Sequence, residues 1–581
     1  MRLYDKFTIM HRRQFFQTTT AATAGLLLSG SAETTTIKAA EPQKQTARIG
    51  TVREMSANVI VLGGGLGGFA TALAALRNGL SVILTEETDW IGGQITSQGV
   101  PPDEHSWIET HGAPKSYRDF RTAVRNYYKN HYPLTENAKN RANLNPGDGS
   151  VSRLCHEPRV ALAVLYQILQ PYLSSRKLTL LLEHKPIGAD VDGDKIKAVA
   201  VRNLREGNEL VLSAPYFVDA TELGDLLPLS NTEYRTGAES VDETGELHAA
   251  KKSDPKNQQA FTVCFAMDYD AKGNHLIEKP AEYDFWRNFV PQMTPPWPGK
   301  LLDLTYCTPS TLRPLALGFH PEGVPTGNVL NLWNYRRIIN RSNFVPGTYV
   351  GDATVVNWPQ NDYLLGNLDG SDDDFQKHFA RAKQLSLSLF YWLQTEVPRP
   401  DGGNGWPGLR LRGDIMGTTD GLAKYPYVRE SRRIEAVFTV LEEHVGKEQR
   451  EKILGKPTNI AAKFDDSVGV GYYHIDLHPS MGGDNYIDFP SLRYQIPLGA
   501  LLPKRVVNLL PANKNIGTTH ITNGCYRLHP TEWGIGEAVG SLVCFAMQKQ
   551  TIPRAIRENQ NLLTEYQNFL RSQGVETDWP E

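Results

Sequence analysis

Residues 57–86, ANVIVLGGGLGGFATALAALRNGLSVILTE, decide the fold. Asn58 to Leu62 reads as a short strand buried on both faces, because its apolar residues run without alternation. It enters Gly63-Gly64-Gly65-Leu66-Gly67-Gly68, where Gly63, Gly65 and Gly68 supply a G-x-G-x-x-G spacing. Helix formers follow from Phe69 to Asn78 and stop at Gly79, the usual C-terminal capping residue. Ser81 to Thr85 is the next strand, and Glu86 ends it. The spacing has a chemical reason. Gly63 permits a tight turn, Gly65 lets the backbone approach a pyrophosphate, and Gly68 allows close helix–strand packing, while the helix N-terminus offers N–H groups to the anion. Glu86 lies 23 positions after Gly63 (86 − 63), where a carboxylate accepts both hydroxyls of a ribose and disfavours a 2′-phosphate. A Gly-rich turn that binds nothing is the alternative. Strand, glycines, helix, strand and acid in register decide against it.

Three features outside that stretch point to FAD rather than NAD. Asp89-Trp90-Ile91-Gly92-Gly93-Gln94 follows the second strand, and its glycines suit a backbone passing the ribityl and phosphate portion. Strands over 187–191 and 195–201 about an Asp192-Gly193 turn, then over 209–212, form a β-meander that returns into a strand at 216–221. Asn508 to Asn513 is again strand-like and leads to Arg527–Ala538, a loop opening a helix. The positive end of that helix would stabilise an anionic reduced flavin ring. Gly67, Gly93, Gln94, Asp219, Arg527, Glu532 and Gly536 are the further positions expected at the cofactor.

The chain resembles the secreted branch of the FAD-dependent oxidoreductases with the glutathione-reductase-like flavin fold. The stretches that carry the likeness include VIVLGGGLGGFATALAALRNG, TDWIGGQITSQGVPPDEH, VSRLCHEPRVALAVL, FVDATELGDLLPL, VNWPQNDY, YPYVRESRRIEA and the segment from Arg493 to Gly540. They span about residues 57 to 546. The resemblance implies a cofactor and a reaction class but no substrate. One departure stands out: many such flavoproteins have Ala-Thr-Gly where this chain has Ala220-Thr221-Glu222.

The expected fold class is α/β: an FAD-binding, Rossmann-like three-layer fold with a β-meander, plus an interleaved α+β substrate domain. The expected organisation is an export signal over 1–40, the FAD-binding domain in two parts (57–225 and 491–550), a loop-rich substrate domain over 226–490 and a C-terminal helix over 551–581. Arg12-Arg13 followed by Gln14-Phe15-Phe16, then the short Thr-rich apolar run TTTAATAGLLLSGSA, match a twin-arginine export signal too short to span a bilayer. That route carries folded proteins, so it predicts a cofactor loaded before export, the export machinery as a partner, and a periplasmic or secreted protein. A disordered tail with a chance Arg pair is the alternative. No later window holds 18 uninterrupted apolar residues, so no stable membrane insertion is expected.

Composition narrows the classes further. The 581 residues carry a net charge of −3, which argues against an electrostatic nucleic-acid binder. Five scattered cysteines with no CxxC pair exclude a disulfide framework, a zinc ribbon and an iron–sulfur cluster. Residues 225–500 hold no second dinucleotide fingerprint, so reduced flavin is expected to pass electrons to oxygen, a quinone or a soluble partner. Trp286, Trp297, Trp333, Trp358 and Trp406 either pack irregular loops or line a sugar pocket. The second option motivates a competing reading, a polysaccharide-associated protein with a structural flavin.

For the chemistry, a flavin oxidation needs a base to take the O–H or N–H proton, and histidine suits that task. His474-Ile475-Asp476-Leu477-His478 alternates as a strand would, placing His474, Asp476 and His478 on one face. They are candidates for a proton acceptor facing the flavin, for a metal site, or for a structural network. His529 is a second candidate base, at a loop expected to pass under the flavin. Arg527 is expected at the flavin or at an acidic substrate, unless both residues only brace the C-terminal helix. Arg429, Arg432 and Arg433 read as a helix start with paired or solvated charges, Arg429 alternatively pointing into the site. Cys155-His156 precedes a helix at Pro158–Tyr172 and offers either a covalent flavin link or a packed thiol.

Overall fold

The computed structural model describes residues 53–580 apart from Thr326 and Asn328. The twin-arginine stretch lies outside the described residues. A five-stranded, all-parallel sheet forms the centre, in the order Leu509–Pro511, Tyr216–Asp219, Val59–Leu62, Val82–Glu86, Leu178–Leu182. Its register sets Leu62 beside Asp219 and Thr85, so the carboxyl ends of three strands finish level at one edge. Ligands of open parallel sheets bind outside those ends.

Alternation along the first strand explains the layering. Val59 and Val61 point into a core shared with helices Leu66–Arg77 and His529–Gln548. Ile60 and Leu62 point the other way, against Ile196, Val199, Val201 and Leu212. Those four belong to the meander His184–Asp192, Lys195–Asn203, Glu209–Ser213, whose outer edge is completed by Arg53–Ser56 in parallel with Glu209–Ser213. Helices, parallel sheet and meander are therefore three layers, as the sequence predicts.

The two helices touch through small residues. A Cβ on Gly67 would stand 1.6 Å from the carbonyl oxygen of Ala512, and one on Gly536 would stand 2.0 Å from that of Gly67. Thr71 ties the crossing, its hydroxyl donating to the carbonyls of Gly67 (2.8 Å) and Gly536 (3.0 Å). Gly67 and Gly536, expected at the cofactor, thus lie where two helices meet a strand end.

A second core collects Trp286, Trp297, Trp333, Trp358 and Trp406 with Phe265, Leu389 and Leu393. Its sheet, in the order Arg337–Ile339, Ala353–Val356, Phe265–Tyr269, Leu409–Leu411, is antiparallel, and helix Asp372–Thr395 contributes to the same core. All five tryptophans are buried. Their place is packing, which removes the observation behind a sugar-lined pocket.

Three local expectations need correction. Arg429 to Arg433 start no helix: Arg433–Ile434 is a strand paired with Tyr234–Arg235, and all three arginines are buried. The loop before the last long helix is short, because helix His520–Tyr526 precedes it and only Arg527 and Leu528 intervene. The C-terminal helix is two, Pro553–Glu558 and Gln560–Ser572, with the Asn559 side chain capping the second. Among the described residues no helix is long and apolar enough to cross a membrane.

Candidate active site

The cradle at the sheet's carboxyl edge is built from the glycine turn. Gly63 adopts φ +95°, and a Cβ there would meet the Ala220 carbonyl oxygen at 2.2 Å. A Cβ on Gly68 would lie 1.9 Å from the Gly63 carbonyl oxygen, so this glycine closes helix onto turn. Gly65 differs. Its Cβ would meet only side chains, Glu222 Oε1 at 3.1 Å and Glu532 Oε1 at 3.5 Å as the nearest, in a cavity lined by Gly63, Gly65, Glu86, Gly93 and Glu222. Helix Leu66–Arg77 starts at that point with no side-chain cap, so its dipole and N–H groups face the cavity.

Glu86 lines the same cavity at the end of strand Val82–Glu86. Its Oε2 accepts the Gly64 N–H (2.9 Å), and its Oε1 accepts the N–H (2.9 Å) and hydroxyl (2.8 Å) of Thr88. Burial pushes its carboxyl up to about 7, against the pull of those donors. A carboxylate has about four lone-pair sites and three are taken, so one ribose hydroxyl can still be accepted. A Glu86→Ala change is expected to weaken FAD binding about tenfold or more, the worth of one hydrogen bond to a charged group, and to leave the protein folded. Flavin retained through gel filtration and the melting temperature together check it; unchanged occupancy removes Glu86 from the ribose.

Gln94 and Glu532 meet beside the cradle. The Gln94 amide donates to Glu532 and to the Arg527 carbonyl (3.1 Å), and Glu532 Oε1 accepts the Gly67 N–H (3.0 Å). Burial raises the Glu532 carboxyl to about 7. Gly93 packs on the Gly65 backbone, a Cβ there lying 2.9 Å from the Gly65 Cα. Asp219 lies deeper than expected. Its two oxygens accept from the Thr221 N–H and hydroxyl and from the Leu226 N–H, so it braces the turn that presents Glu222.

Arg527 links this cradle to a polar cluster. Its guanidinium donates to the Asp476 carboxylate (3.1 Å) and main-chain oxygen (3.0 Å), while its own carbonyl holds Gln94. Strand Ile475–Leu477 buries Ile475 and Leu477 and turns His474, Asp476 and His478 to the other face. The two imidazoles have separate carboxylate partners, His474 Nδ1 pairing with Asp488 (3.0 Å) and His478 Nδ1 with Asp362 (2.6 Å). Among the described residues no group of three or more His, Cys, Asp or Glu has an arrangement that would hold a metal.

Asp362 is almost fully buried and is held by Arg429 (3.1 Å) and the Thr262 hydroxyl (2.5 Å). Burial opposes its ionisation, but the charges of Arg429 and His478 prevail and keep its carboxyl below the usual carboxylate range. Asp362 holds the His478 ring at Nδ1, and Nε2 on the other side of the ring lies 3.9 Å from Asp476. His529 is placed otherwise. It begins the last long helix, fully buried; its Nδ1 accepts the Asp103 N–H (3.1 Å), and its Nε2 has no partner. Burial lowers its pKa to about 4, so it is neutral. Asp103 in turn pairs with the buried Arg336 (3.2 Å).

Sequence reasoning missed Asp103, Arg336, Asp362 and Lys514. Asp362 lies in the VNWPQNDY stretch, yet nothing local marks it as the partner of a histidine 116 positions away. Cys155 is a packed thiol, which burial pushes up to about 12 and so makes unreactive.

The chain belongs to the FAD dependent oxidoreductase family, whose model matches residues 58–570. It is therefore an FAD-dependent oxidoreductase, and the glycine turn, Glu86 and the open face of Gly65 fit that cofactor. None of the curated proteins matches the chain. Among solved structures it is similar to the p-nitrophenol 4-monooxygenase of Pseudomonas putida (10% identity, 90% of this chain, 87% of that chain, TM-score 0.33). A geranylgeranyl bacteriochlorophyll reductase-like protein of Thermoplasma acidophilum matches at 9% identity over 90% of this chain and 85% of its own (TM-score 0.31). The L-proline dehydrogenase of P. horikoshii matches at 15% over 32% of this chain, which spans only 25% of that protein (TM-score 0.17). Likenesses this low carry no weight for substrate or mechanism.

Proposed function

We propose that the protein oxidises a small organic substrate, a sugar, alcohol or amine, and passes the electrons to oxygen or another non-nicotinamide acceptor. FAD, when bound, supplies a hydride acceptor at N5. The observation that carries the reading is the Asp362–His478 pair, a buried carboxylate orienting an imidazole whose Nε2 faces the polar cluster joined through Arg527 to the cradle. His478 takes the substrate's O–H or N–H proton while Asp362 stabilises the imidazolium that forms. Arg527 and Asp476 orient the substrate's polar groups.

The glutathione-reductase-like branch is supported by the parallel sheet with its meander and by the C-terminal strand and helix. Residues 226–490 serve as substrate domain in this reading. Export by the twin-arginine route, to the periplasm or beyond, rests on Arg12-Arg13 and the short apolar run after them. The test is anaerobic bleaching of the flavin by sugars, amino acids, amines and alcohols. Reduction by members of one class is expected. A flavin that none of them bleaches, while dithionite does, overturns the reading.

A further inference from the structure

Lys514 follows strand Leu509–Pro511 directly into the cradle and is nearly fully buried. Its ammonium donates to Glu222 Oε2 at 2.5 Å and to Asn513 Oδ1 at 3.1 Å. The other carboxylate oxygen of Glu222 is buried and has no partner. That oxygen is aimed at the two glycines of the cradle, 3.1 Å from the Cβ position of Gly65 and 3.0 Å from that of Gly93. Glu222 thus holds an anionic oxygen, lacking any donor, at the mouth of helix Leu66–Arg77. Leaving a buried acceptor unsatisfied is costly. Around the same point stand Glu532, bound to the Gly67 N–H and in the field of Lys514, and Glu86 across the turn, whose charge acts on Glu222.

We propose that Lys514 is the cation that receives the diphosphate of FAD, and that Glu222 is a stand-in anion which the diphosphate displaces. A diphosphate brings more acceptor oxygens than a carboxylate, and these reach both the ammonium and the helix N–H groups that Glu222 leaves unused. Once displaced, Glu222 loses its cation and stands near a like charge, so its negative charge opposes loading. The departure from Ala-Thr-Gly at position 222 then has a consequence: a Gly there would remove the ion-pair partner of Lys514 before the cofactor arrives. The inference rests on FAD as cofactor and not on the substrate reading above.

The two residues should act with opposite signs. In the full chain freed of flavin, FAD affinity is measured by quenching of flavin fluorescence for the wild type, Lys514→Gln, Lys514→Arg and Glu222→Gln. Lys514→Gln is expected to weaken FAD about tenfold or more, and Lys514→Arg to keep most of the affinity. Glu222→Gln is expected to tighten it. Glu222→Gln also leaves Lys514 buried without its partner, so the flavin-free variant should melt lower than the wild type and gain more from added FAD. This second readout stands even where Lys514→Gln fails to fold. Weaker FAD binding in Glu222→Gln makes Glu222 a permanent part of the bound site and overturns the exchange. Unchanged affinity in Lys514→Gln removes Lys514 from the diphosphate.

Discussion

A His478→Gln variant is expected to keep its flavin and to reduce it with substrate about 10²–10⁴ times more slowly than the parent. The reason lies in how the imidazole is held. Asp362 accepts from Nδ1 at 2.6 Å, and the His478 N–H donates to the Gln259 side chain at 3.2 Å, so ring and backbone are fixed together. Asp362 is itself pinned by Arg429, whose guanidinium also donates to the Ala260 carbonyl (2.8 Å) and the Asn357 side chain (3.1 Å). Glutamine still occupies the space and can hydrogen-bond Asp362, but it offers no basic nitrogen. The proton from an O–H or N–H substrate must then leave to water while hydride transfer waits. FAD binding depends on the cradle, and Arg527 and Asp476 stand between it and His478, so flavin content should not fall. Anaerobic single-turnover kinetics at saturating substrate separates the two quantities. An unaltered bleaching rate returns His478 to a structural role, and a loss of flavin shows that the cluster and the cradle fold as one unit.

The same cluster shows where sequence reading stops. The flavin half of the fold is legible because its signals are local: an unbroken apolar strand, glycines at fixed spacing, an acid at the next strand end, a turn at Asp192-Gly193. His474, Asp476 and His478 share a face for the same reason, since alternation is a property of five adjacent residues. Asp362 and Asp103 carry no such mark. Each acquires its role from an arginine or histidine far along the chain, and those pairings depend on how the antiparallel sheet of the second core packs. Arg429, Arg432 and Arg433 mislead in the opposite direction. In a charged stretch such as YVRESRR they look like a helix start with paired or solvated charges; the pairing is found, but the helix and the solvent exposure are not. Each guanidinium instead has buried partners: Asp362 for Arg429, Asp225 and the Leu223 carbonyl for Arg432, Glu430 and Glu239 for Arg433. A buried charge is stable only when such partners are supplied, and four of the five lie more than 60 positions away. Glycines mislead more subtly. Of two glycines expected at the cofactor, Gly65 opens on the cavity, and Gly67, outside the G-x-G-x-x-G spacing, packs on the Ala512 carbonyl.

That division can be measured. Gly67→Ala is expected to cost about 3 kcal/mol or more of stability, or to yield no soluble protein, with flavin lost in proportion. The added Cβ would stand 1.6 Å from the Ala512 carbonyl oxygen and 2.8 Å from its carbon, both backbone atoms. Neither side can yield. Ala512 follows strand Leu509–Pro511 at once, its N–H bonded to the Asp219 carbonyl at 2.9 Å, and Gly67 lies in the first turn of a helix whose far face is pressed by Gly536 and Gly540. Overpacking against a flexible side chain is relieved by a rotamer change, but here a helix must lift from a sheet. Lifting it would carry away the Gly67 N–H that Glu532 accepts and part the Asn513–Lys514 segment from Glu222, so the cradle should fail together with the packing. Gly299→Ala is the matched control, because a Cβ there meets nothing within 4 Å. It should be neutral, or stabilising by about 0.4–1 kcal/mol through the unfolded chain, with full flavin content. Denaturant unfolding of both variants, with released flavin assayed alongside, makes the comparison. Equal stability of the two would mean that the helix crossing tolerates a methyl group, and that the glycine at position 67 is not set by packing.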